Sequence, residues 1–112
     1  MTVEQNIELL KSFKEFKNGW LGRESEPIDI KYIDIALKHI DKFLIQPNVD
    51  SFDSGVSFTW PLLDNNLVEI NISENIEFIV WLDDDISTDT IIEEKFISQY
   101  ANRVLKQQLK NA

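Results

Sequence analysis

Apolar residues recur at helical spacing near both ends of this chain and alternate with polar ones in its middle. Over residues 3–17, Ile7, Leu9, Leu10, Phe13, Phe16 and the following Trp20 keep helical spacing, while Glu4, Glu8, Lys11, Lys14 and Glu15 fall mostly on other faces. Gly19 and Gly22 end this helix and frame Trp20. Pro27, Ile28 and Asp29 announce a second helix. Asp29 suits the N-cap, and Ile28 and Ile33 then hold the spacing of a hydrophobic staple. Its stripe is Ile33, Ala36, Leu37, Ile40 and Leu44, and Pro47 marks its end.

The middle reads as three strands joined by short turns. Over residues 56–62, Val56, Phe58 and Trp60 alternate with Ser57 and Thr59. Val68, Ile70 and Ile72 share one face over 67–72, as do Ile76, Phe78, Val80 and Leu82 over 76–82. The polar turns at 64–66 and 73–75 suit hairpins. A last helix is expected over 90–110, with Ile92, Phe96, Tyr100 and Val104 in one row and Ile97, Ala101, Leu105 and Leu109 in the next. Thr90 and Glu93 match a capping box there. The expectation is a single α+β domain over residues 1–112: three helices packed on a three-stranded antiparallel sheet, in the order α-α-β-β-β-α. The other face of the third strand carries Ile79 and Trp81 beside Glu77. Either helices cover both sheet faces, or this pair is an exposed patch for a partner or a second copy.

Composition narrows the class of function. The chain has 112 residues, 43% of them hydrophobic, with three Trp and seven Phe, enough for a core. With no Cys, disulfides, thiol catalysis and Cys-ligated metals are excluded. No window approaches the roughly 18 apolar residues of a membrane span and the N-terminus has no apolar signal core, so a cytoplasmic protein without membrane partners is expected.

The net charge of −9 is unevenly spread. Residues 1–45 hold seven Lys/Arg against eight Asp/Glu, residues 46–94 hold none against twelve, and residues 95–112 hold four against none. A middle without one basic side chain argues against direct nucleic-acid binding and favours a basic protein partner, a cation or plain solubility.

The densest acidic stretch is Asp83, Asp84 and Asp85, followed by Asp89. With Asp83 as position 1, Asp85, Ser87 and Glu94 fall at calcium-loop positions 3, 5 and 12. Position 6, however, is Thr88 rather than Gly, and the preceding element is a strand rather than a helix. Three adjacent aspartates at a strand exit also lack the split environments that general acid–base pairs need. The single histidine, His39, lies mid-helix with Ile35 one turn before it, and reads as a surface or partly packed side chain. No nucleophile elbow or glycine-rich phosphate loop is present, so no catalytic residues, metal ligands or cofactors are expected.

Residues 18–28, 33–44 and 47–60 together resemble a sparsely characterised family of small bacterial proteins. That family has a Trp-Asp-Gly-like turn, then Pro-Ile, an Ala-centred helix, a proline-rich loop, a Gly and a strand ending in Trp. Trp20, Gly22, Pro27, Ile28, Ala36, Gly55 and Trp60 are the matching positions, while Leu21 stands where the family has Asp. The resemblance implies no reaction, and these positions read as architectural.

The expected function is therefore that of a non-enzymatic acidic protein that neutralises a basic protein, in the manner of an antitoxin, an immunity protein or a phage-encoded inhibitor. Nucleic-acid mimicry against a nuclease or a CRISPR effector is its sharper form. Asp50, Asp53, Asp64, Asp83, Asp84, Asp85 and Asp89 would meet the partner's Lys and Arg, with Trp81 and Ile79 as apolar anchors. Two alternatives are a metal-binding protein or hydrolase using Asp83, Asp85 and Asp89, and a homodimer joined through the third strand.

Overall fold

The computed structural model describes residues 2–15, 28–52, 55–62, 65–82 and 85–111, with side chains at all of these except 52, 82, 85–88 and 108–111. Two helices, α1 (Val3–Phe13) and α2 (Ile30–His39), lead through a 3₁₀ turn at Ile40–Lys42 into five strands. The strands are β1 (Asn48–Phe52), β2 (Gly55–Pro61), β3 (Leu67–Ile72), β4 (Ile76–Leu82) and β5 (Asp85–Ile92). A 3₁₀ turn at Glu94–Phe96 then opens α3 (Ile97–Asn111). All five strands form one antiparallel sheet in chain order.

Local chemistry explains the helix starts. Thr2 and Gln5 close a capping box at α1, and the Asp29 side chain accepts the Lys31 N–H at α2. Ile28 and Ile33, the expected staple, are both buried. The two inner hairpins turn where polar residues were expected. Asn65 takes a positive φ of 62°, and Leu62 N–H donates to the Asn66 carbonyl; the Ser73 N–H donates to the Asn75 carbonyl.

Register assigns the two faces. Val49, Phe58, Ile70, Phe78 and Thr90 face one another across the five strands, as do Val56, Ile72, Ile76 and Ile92 across four. The helices cover this inner face. Phe78 meets Tyr100 of α3 at 5.5 Å, and Phe43, just past α2, meets Phe58 and Trp60 edge-on at 5.3 and 4.9 Å. The Trp60 indole donates to the Ile45 carbonyl at 2.7 Å, so its one polar atom is satisfied inside the core. Asn102 of α3 ties the helices together, accepting from the Leu44 N–H and donating to the Lys42 carbonyl. Asn6, fully buried in α1, donates to Gln46 and to the Pro47 carbonyl.

Four sequence expectations need correction. The sheet has five strands rather than three, because edge strands bury little and so carry weak apolar alternation. Among the described side chains of β1 only Val49 is buried, and Thr90 of β5 is exposed. The expected capping box fails because Thr90 is paired with Phe78 in β5, and the last helix starts at Ile97, although the Ile97, Ala101 and Leu105 row is fully buried. Leu44 is 54% exposed, since the chain leaves the helix at the 3₁₀ turn and Phe43 takes the core position. His39 is buried rather than at the surface or only partly packed. No helix in the described residues is long and apolar enough to cross a membrane.

Candidate functional site

Opposite the helices lies the outer sheet face, which gathers the acidic residues of the middle. Across the strands, one row reads Asn48, Thr59, Glu69, Ile79 and Asp89, and the next Asp50, Ser57, Asn71, Glu77 and Ile91. A shorter row pairs Pro61, Leu67 and Trp81. Ile79 thus has Glu69 on one side and Asp89 on the other, with Glu77 two residues along its own strand. Directly opposed side chains stand about 5 Å apart and diagonal ones about 7–8 Å, so three carboxylates ring Ile79. Asp50 continues the acidic character at the far edge. Asp50 and Asp89 are exposed, Glu69 and Glu77 partly so, and among the described residues none of the four makes an ion pair.

Inside the ring the face is apolar. Ile79 is buried, not open as expected for an anchor, yet it stands apart from the main core cluster. Leu67 and half-buried Trp81 are register partners beside it. Two polar atoms here are buried and have no partner among the described residues: the Trp81 indole Nε1 and the Asn71 side-chain Oδ1. Asn71 Nδ2 donates to Glu69 Oε2 at 3.0 Å, which fixes that carboxylate at the rim. The face therefore offers carboxylates around an apolar centre.

The expected acidic residues divide. Asp50 and Asp89 lie on this face; Asp85 pairs with Leu82 at the start of β5; Asp53, Asp64, Asp83 and Asp84 lie outside the described residues. Asp85 and Asp89 are four positions apart along a strand, about 13 Å at 3.3 Å per residue, too far to share one cation with bonds near 2.4 Å. Among the described residues no group of three or more His, Asp or Glu is arranged to hold a metal. Glu69, Glu77, Leu67 and Asn71 were missed by sequence reasoning. Strand parity placed the two glutamates opposite Val68, Ile70 and Phe78, but only the cross-strand register reveals that they meet Asp89 around one side chain.

A second charged cluster joins α2 to the turn before α3. Glu94 Oε2 accepts from Lys38 Nζ at 3.2 Å and lies 3.4 Å from His39 Nε2. Burial holds His39 below its usual pKa despite the neighbouring carboxylate, and the hydrogen bond from Lys38 holds Glu94 below the usual carboxylate range. The buried His39 Nδ1 has no partner among the described residues. Lys38 and His39 of α2 both meet the one carboxylate of Glu94, so this cluster ties α2 to the turn before α3.

No protein-family model, curated protein or solved structure matches the chain. Of the positions behind the bacterial-family resemblance, Trp20, Gly22 and Pro27 lie outside the described residues, whereas Ile28, Ala36, Gly55 and Trp60 are buried.

Proposed function

We propose that this is a non-enzymatic binding protein that engages a basic protein partner through the outer sheet face. The observation that carries the reading is the ring of Glu69, Glu77 and Asp89 around Ile79, with Asp50 beyond it and no Lys or Arg in residues 46–94. Half-buried Leu67 and Trp81 beside the carboxylates suit an arginine-rich surface better than a bare cation, because the aliphatic stem of Arg covers apolar area while its head reaches carboxylates. The net charge of −9 would steer encounter with a positive surface.

The test is affinity purification with wild type and with E69Q/E77Q/D89N, followed by affinity measurement on the purified partner. A basic partner is expected, bound at least about tenfold more weakly by the triple variant, with affinity that falls steeply as salt rises. Equal capture by both proteins would remove the outer face as the interface.

A further inference from the structure

We infer that the free edge of β5 accepts an extended basic segment of the partner as a sixth strand of the sheet. This rests on the basic-partner reading above and adds how the partner is held.

The sheet ends in β1 on one side and β5 on the other, and the two edges differ. β1 is five residues long and α1 packs against it. β5 is eight residues long, and among the described elements no helix makes more than marginal contact with it. Three successive β5 residues, Asp89, Thr90 and Ile91, are exposed although their side chains alternate between the two faces. Among the described elements the strand thus lies beyond the helical layer, with no further strand or helix on its outward row of backbone groups. Ile91, at 65% exposure, is the most exposed large apolar side chain among the described residues. A register irregularity opposite Val80 and Trp81 interrupts the first half of β5, while residues 88–92 keep unbroken pairing with β4. Five regular residues with a free edge are a template for strand addition.

Charge decides the occupant. Residues 46–94 contribute no basic group, and Asp89 sits in the middle of the regular edge. A second copy pairing antiparallel about Asp89 or Thr90 would set Asp89 opposite or diagonal to its own copy, and bring −9 against −9. An incoming strand is favoured when it carries Lys or Arg opposite Asp89 and an apolar residue opposite Ile91. These two positions lie two residues apart on the outer face, where the strand would continue the surface built by Glu77 and Ile79.

The test uses ¹⁵N-labelled protein and two soluble peptides, acetyl-Thr-Val-Thr-Lys-Thr-Lys-amide and its counterpart N-methylated on the backbone of the second and fourth residues. The first matches the inferred pattern when antiparallel to residues 88–92, its second and fourth residues opposite Ile91 and Asp89, whose backbone groups point away from β4; the second keeps the side chains and charge but loses the two donors that would face β5. Shift changes are expected in the amides of residues 88–92, with exchange slowed about tenfold at Asp89 and Ile91, and both effects lost with the N-methylated peptide. Asp89→Lys should weaken the first peptide about fivefold or more while leaving the rest of the spectrum unchanged. Equal binding of both peptides, with shifts centred on Ser57, Asn71 and Glu77, would overturn strand addition yet keep the basic-partner reading. Absence of any shift would overturn strand addition, and the affinity comparison above would then judge the wider reading alone. Concentration-dependent shifts at 88–92 without peptide would assign the edge to a second copy and overturn the proposal.

Discussion

A Cβ built on Gly55 would stand 2.0 Å from the Ile72 carbonyl oxygen, a backbone atom of the neighbouring strand. Neither strand can retreat without breaking the β2–β3 ladder, so Gly55→Ala should cost about 2–3 kcal/mol by urea unfolding. For a domain of this size that lowers Tm by roughly 10 °C. Trp60→Phe keeps most of the ring packing but leaves the Ile45 carbonyl without its donor, and should cost about 1–3 kcal/mol in the same assay. Both positions were legible as architecture from type and place alone: a glycine opening a strand, and an alternating aromatic at its end. His39 was not. Its environment is set by Glu94, 55 positions along the chain, and no helical spacing announces a contact of that range.

At the level of elements, the His39–Glu94–Lys38 cluster should make the seam between α2 and the turn before α3 sensitive to acid. Both shifts are downward, so the unfolded chain binds more protons than the fold over the affected window. The His39 contribution is complete above about pH 6.5 and is lost as pH falls from there toward the lowered folded value; the Glu94 contribution is complete above 4.5 and fades below it. The urea midpoint of the wild type should therefore drop between pH 7 and 5 relative to His39→Leu, in which that part of the profile flattens; parallel profiles would remove histidine as the cause. Asn102→Ala should lose about 1–2 kcal/mol by the same measurement, since it strips partners from both the Lys42 carbonyl and the Leu44 N–H. The helices and central strands were legible because buried faces impose strong periodicity. The edges were not. β5 reads as an acidic turn and helix start because Ser, Thr and Asp dominate it, and its strand character comes from pairing with β4.

Across the whole molecule, a surface crowded with carboxylates repels itself. Neutralising Glu77 and Asp89, which lie diagonal across β4 and β5, should leave stability unchanged or raise it by about 0.5 kcal/mol at low salt, with the gain gone near 0.5 M NaCl. A loss of more than about 1 kcal/mol from E77Q/D89N would mean that these carboxylates have structural work on the outer face. By itself the sequence determined the α+β class, the helix starts at Asp29 and the N-terminus, the aromatic core and the concentration of acid in the middle. Each of these depends on residue type, local spacing or composition, which the linear chain contains in full. The tertiary structure alone decided the number of strands, the burial of His39 and Ile79, and the meeting of Glu69, Glu77 and Asp89. Those depend on cross-strand register and on which sheet face the helices cover. Shifting a strand by one residue would exchange its two faces, so the acidic ring exists only because the whole sheet is in register.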